Sequence, residues 1–105
     1  MKNIILLLTA LLLVVACGPK LTLHGSNVKV GTEAELKQCQ LLGSTRFSIT
    51  PTRMKLMKEE DIKKRLTIEA RNFAPRIGGN MVLPVGTIEE GKRSFKIYNC
   101  PVSTN

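Results

Sequence analysis

Hydrophobic and polar residues follow three different rhythms along this chain, and each predicts a different kind of segment. From Ile4 to Val15 the residues are apolar without a break except at Thr9, a run well short of the roughly 20 residues that a helix needs to span a bilayer. Beyond Gly18 the rhythm falls to a period near two. Val28-Lys29-Val30 predicts a first short strand, stopped by Gly31-Thr32. Thr32 to Lys37 reads as one turn of helix or a loop leading to Cys39. Gln38 to Ile49 predicts a second strand, with Leu41, Leu42, Phe47 and Ile49 as core candidates and Gly43 marking a bulge or a close backbone approach. It ends near Thr50, where Pro51 either stops the strand or opens a helix with Thr50 as its N-cap.

From Lys58 the period changes to that of a helix. Ile62, Leu66, Ala70, Phe73 and Ile77 step by three or four and build one apolar stripe. Glu59, Glu60 and Asp61 fall in the first turn, where the helix dipole favours negative charge, and Lys63, Lys64, Arg65 and Arg71 occupy the polar face. Pro75 should kink or end the helix, because it cannot donate to the Arg71 carbonyl, and Gly78-Gly79-Asn80 completes the stop.

Met81 to Ile88 predicts a third strand, nearly continuous in apolar residues, with Pro84 arguing for an edge position or a bulge. Glu89-Glu90-Gly91-Lys92 is a hairpin turn. Arg93 to Cys100 predicts a fourth strand, with Phe95 and Ile97 on one side and Lys96 and Tyr98 on the other. The expected fold is therefore α+β: a small β-β-α-β-β antiparallel or mixed sheet with one main helix packed on it.

The apolar run at the start has a second meaning. Lys2, the stretch to Val15 and the small Ala16 are the three parts of an export signal. Val14-Val15-Ala16-Cys17 resembles the bacterial lipobox, in which the cysteine sulfur takes a diacylglyceryl group and the chain is cut just before it. The resemblance implies a signal peptide over residues 1–16, lipidation at Cys17 with a palmitate-type acyl group, and an anchor held by two or three acyl chains. A lipid-anchored tether is then expected over residues 17–27, the α+β domain over 28–101 and a polar tail over 102–105. Gly18 stands where an inner-membrane retention signal would have Asp. That implies an outer-membrane lipoprotein with its domain facing the periplasm.

With Cys17 lipidated, Cys39 and Cys100 are left as a pair, in a compartment where disulfide bonds persist. A cystine is expected from the start of the second strand to the end of the last. The competing reading is a reactive thiol or redox couple; the two residues lie in separate elements, with no Cys-x-x-Cys and no neighbouring histidine to support it.

The set Cys39-Gln40-Leu41-Leu42-Gly43, Arg71-Asn72-Phe73-Ala74 leading to Gly78-Gly79-Asn80-Met81-Val82, and Ile97-Tyr98-Asn99-Cys100-Pro101 resembles a group of small bacterial envelope lipoproteins classed as a domain of unknown function. It is similar, more distantly, to the signalling domain of the lipoprotein that senses envelope stress for the Rcs phosphorelay, from which it differs in having two domain cysteines where that sensor has four. The resemblance implies the fold, the disulfide and the envelope address, and brings no activity. For the motif residues a structural role suffices: glycines for the chain reversal, Asn80 for backbone bonds, Ala74 for close packing.

Charge and chemistry narrow the function further. The 105 residues carry 16 Lys and Arg against 8 Asp and Glu, a formal charge of +8. Loss of residues 1–16 removes only Lys2 from that balance and leaves +7. Export takes nucleic acid off the list of partners; membrane phosphates and envelope polymers remain. With one tyrosine and no tryptophan, an aromatic sugar-stacking cleft is not expected. His24, the only histidine, falls in the tether, and the acids cluster in helix starts and turns, so no catalytic residues are assigned and no enzyme is expected. Met54 and Met57 offer two thioethers to Cu(I), but gap-filling in the core is the commoner use of methionine, and no metal or other cofactor is assigned. The expected function is a binding or scaffolding module. Lys63, Lys64, Arg65 and Arg71 would contact anionic lipid, lipopolysaccharide or an envelope protein, with Arg53, Lys55 and Lys58 nearby. The alternative is an envelope-stress sensor signalling to a membrane partner.

Overall fold

In the computed structural model, which describes residues 20–101, four strands and two helices follow in the order β1 (Lys29–Val30), β2 (Gln40–Ser48), α1 (Pro51–Met54), α2 (Glu59–Phe73), β3 (Met81–Glu89) and β4 (Lys92–Asn99). The expected signal peptide over residues 1–16, the expected lipidation site Cys17 and the expected tail 102–105 lie outside the described residues. Among those described, no helix is long and apolar enough to cross a membrane.

The hairpin between β3 and β4 seeds the sheet. Glu90 and Gly91 both have positive φ, 52° and 70°, and Glu89 pairs with Lys92 across them. This is a two-residue loop of the type I′ class, whose twist matches the strands it joins. Glycine adopts that backbone freely, and a Cβ at Gly91 would also overlap the Met54 side chain. Glutamate does not adopt it freely. Replacing Glu90 by Asn, which tolerates the left-handed region, is expected to raise the unfolding free energy by about 0.5–1 kcal/mol in a denaturant titration.

β4 is antiparallel to both β3 and β2, while β1 runs parallel to β3, giving a mixed sheet in the order β1-β3-β4-β2. β2 and β3 therefore run in one direction with β4 between them, and α2 makes the crossover that parallel strands require. The expected α+β order holds. Phe95 and Ile97 point to the helix side and are fully buried, packed with Leu66, Ala70 and Ala74 of the helical segment and with Val28, Ile49 and Val82.

Two core assignments from the hydrophobic pattern are corrected. Leu41 is exposed, because a bulge at Leu42 shifts the register: Leu41 lies opposite Tyr98 and Gly43 opposite Ile97. Leu41 thus shares the uncovered face with Tyr98. Ile77 is exposed as well. At Pro75 the helix tightens into a 3-10 turn, Ala74–Ile77, which has three residues per turn and rotates Ile77 out of the stripe. Buried Ala74, which the stripe does not include, takes the last core position.

Pro84 follows directly where β1 runs out. β1 reaches only Val82, so β3 is an edge strand from Leu83 onward, and its register slips between Val85 and Glu89. Of the two readings at Pro51, the helix is the one adopted: Pro51 opens α1 after Thr50, although the Thr50 side chain makes no cap bond. The segment before Cys39 forms a 3-10 turn, Glu33–Leu36, with the Glu35 carboxylate accepting from the Thr32 amide at 3.3 Å and its hydroxyl at 3.0 Å.

Cys39 and Cys100 are disulfide-bonded, with Cα atoms 4.2 Å apart. Beside the bond, Asn80 holds the Cys100 backbone at both ends of its amide: its Nδ2 donates to the Cys100 carbonyl at 2.8 Å and its Oδ1 accepts from the Cys100 N–H at 2.7 Å. Gly78, at φ 84°, turns the chain out of the helical segment. At Gly79 a Cβ would overlap the Ile97 side chain, so the second glycine is needed for close approach.

Candidate anionic-ligand surface

Helical geometry separates the four cationic residues expected to form one face. At about 100° per residue, Lys64 sits at the middle of the side of α2 turned away from the sheet, with Arg71 near it two turns on. Lys63 and Arg65 lie on opposite flanks. Lys63 and Lys64 are exposed and Arg65 is half-buried. Glu60, Lys63, Lys64, Thr67, Ile68 and Arg71 line an open groove of about 520 Å³ along this side of the helix. Its lining is largely apolar: lysine stems and Ile68 form the walls, with the ammonium groups free to reach outward. The Thr67 hydroxyl is turned back to donate to the Lys63 carbonyl at 2.8 Å.

Arg71 has a structural duty. Its Nε donates to the Val28 carbonyl at 2.8 Å and its Nη2 to the Ser26 carbonyl at 3.3 Å, which fixes the segment before β1 onto α2. Asn72 extends the clamp. Its Oδ1 accepts from the Thr22 amide at 2.8 Å and the Thr22 hydroxyl at 3.2 Å, and its Nδ2 donates to the Lys20 carbonyl at 2.9 Å. Gly25 is buried against this pair, and a Cβ there would overlap the Asn72 side-chain oxygen. The stretch read from the sequence as tether is thus part of the folded unit from Lys20 onward. Residues 17–19 of that stretch lie outside the described residues. A run of Thr, Ser, Asn and Gly signals turns equally well whether it is free or docked, and only the partners Arg71 and Asn72 distinguish the two.

A second cationic group lies on the sheet face that α2 leaves uncovered. The β2–β4 register sets Ser44 opposite Lys96, Arg46 opposite Ser94 and Ser48 opposite Lys92, and Arg46 Nε donates to the Ser94 hydroxyl at 3.3 Å. The alternation Lys92-Arg93-Ser94-Phe95-Lys96 announces half of this patch in the sequence. Arg46 joins it only through strand register, which the sequence does not specify.

Met54 and Met57 are half-buried and packed against the core. The Met54 thioether lies against Gly91 of the hairpin. His24 is exposed beside the turn Gly25–Asn27. Among the described residues, no three His, Cys, Asp or Glu side chains come together in a group that could hold a metal ion.

Comparison with curated proteins and with solved structures gives no match. Residues 19–100, which span the clamp, the sheet, the helix and both bonded cysteines, match the family model described as Domain of unknown function (DUF4156), and the chain belongs to that family.

Proposed function

We propose that this protein is a lipid-anchored component of the bacterial cell envelope, held in the outer membrane through Cys17, and that it works by binding an anionic envelope partner and not by catalysis. The observation that carries this reading is the exposed pair Lys63 and Lys64, which line with Ile68 the groove on the free side of α2. Lysine stems and Ile68 lining one groove suit a partner that combines phosphates with hydrocarbon, as anionic lipid and lipopolysaccharide do. The disulfide supports the address, since such bonds persist in oxidising compartments. Arg71 belongs to the clamp in this reading, and Arg65 lies outside the groove.

Two measurements test it. Mass spectrometry of the membrane-extracted protein should find a diacylglyceryl increment on an amino-terminal Cys17 peptide; an unprocessed, unacylated chain overturns the anchor. Each lysine near an anionic surface contributes about 1 kcal/mol. Reversing both, Lys63→Glu with Lys64→Glu, should therefore weaken capture of lipopolysaccharide by the detergent-solubilised protein by roughly thirtyfold or more at low salt. The wild-type affinity should fall steeply with added salt while Tm changes little on substitution. Unchanged binding would remove the α2 face from the function.

A further inference from the structure

We propose that the domain is seated directly on the bilayer that anchors it, with Leu23 inserted among the headgroups and Arg46 and Arg76 on their phosphates. The inference rests on lipidation at Cys17 and adds an orientation to it. Its basis is the length of chain left between the anchor and the clamp. Asn72 holds the Lys20 carbonyl and both the amide and hydroxyl of Thr22, and Arg71 holds Ser26 and Val28. Only three residue steps separate Cys17 from Lys20, which reach no more than about 11 Å when fully extended. The acyl chains on Cys17 must lie in the hydrocarbon, and the headgroup layer on one side of a bilayer is itself roughly 5–8 Å thick. The Asn72 end of α2 therefore has no room to stand away from the membrane.

The surface at that end fits an anionic bilayer. Leu23, one residue from the clamped Thr22, is 81% exposed. Thr22, Arg46, Asn72, Phe73 and Arg76 border one shallow depression. Arg46 and Arg76 are exposed, and the half-buried Phe47 and Phe73 line the depression with them and with Ser48. Glu69 is the carboxylate at the rim. Guanidinium groups match phosphate oxygens in pairs, and an exposed leucine beside them supplies the apolar wedge of an interfacial contact. The free side of α2, with Lys64 at its middle, then points along the membrane surface, where a headgroup-bearing partner can reach it.

The chain has no tryptophan, so Leu23→Trp introduces a single emission reporter, and Leu56→Trp provides a control. Leu56 is 85% exposed and lies beyond the other end of α2, about 20 Å away along the helix. Each full-length variant is purified from membranes, its Cys17 peptide is weighed, and the protein is reconstituted into phosphatidylglycerol and phosphatidylcholine vesicles with brominated acyl chains. The expected result is a blue shift and strong quenching for Leu23→Trp, placing it roughly 5–10 Å below the surface, with Leu56→Trp unshifted and unquenched. Water-like emission from Leu23→Trp on an acylated chain overturns the seating and leaves the anchor standing. Equal quenching of both reporters also overturns it. A missing acyl increment overturns the anchor and the seating together. Equal quenching of Leu23→Trp in purely neutral phosphatidylcholine removes the two arginines from the contact.

Discussion

Replacing Cys39 and Cys100 with serine is expected to lower the unfolding free energy by about 4 kcal/mol. The bond closes a loop whose ends are 61 residues apart, and on the chain-entropy account a loop of that size restricts the unfolded chain by about that amount. Domains of this size have a total stability on the order of 5–15 kcal/mol, so the loss is a large share of it. The folded state should change little. Asn80 grips the Cys100 backbone independently of sulfur, and β2 remains paired to β4 from Gln40 to Ser48. Urea titration of the wild type with and without reductant, beside the double serine variant, measures the effect. A difference under about 1 kcal/mol would mean that the unfolded chain is already compact near these positions.

Phe95→Ala is expected to cost about 3–5 kcal/mol, with a fall in Tm of roughly 15 °C or more for a domain of this length. Phe95 is fully buried in the middle of β4. Its ring meets Phe47 of β2 edge-on at 6.2 Å, and Phe47 meets Phe73 of α2 edge-on at 6.0 Å. These are the three phenylalanines of the chain, and together they link the sheet to the helix. Cutting the first link opens a void under Leu66 and Ala70 that backbone on either side cannot fill without disturbing the β4 ladder. A loss below about 1.5 kcal/mol would show that the site collapses readily. Circular dichroism melts with the wild type alongside decide between them.

How much of this was legible in the sequence depended on whether the cause was local. The helix, the Glu90-Gly91 turn and the alternation of β4 arise from near neighbours, and all three were readable. The hydrophobic pattern places Leu41 and Ile77 in the core because hydrophobicity alone records no phase shift, while a bulge and a proline-tightened turn each rotate the pattern by one position. The cationic candidates fared unevenly for a similar reason. Lys63 and Lys64 are exposed on the helix, while Arg71 is engaged with carbonyls more than forty positions earlier. Arginine on a polar face reads the same whether its partner is solvent or a distant backbone. The same blindness hid the docking of residues 20–27 and the meeting of Arg46 with Ser94.

The pairing of β1 has a consequence for the order of assembly. Its partner in the sheet is β3, with Lys29 beside Met81, and the residues that clamp the segment before it, Arg71 and Asn72, also come late in the chain. The β3–β4 hairpin and the helix rest on contacts close in sequence, and such contacts form early at little entropic cost. The amino-terminal segment must wait for them. Whatever that segment is fastened to, it settles only after the hairpin and the helix exist, on contacts as distant in sequence as those that seat β2 against β4.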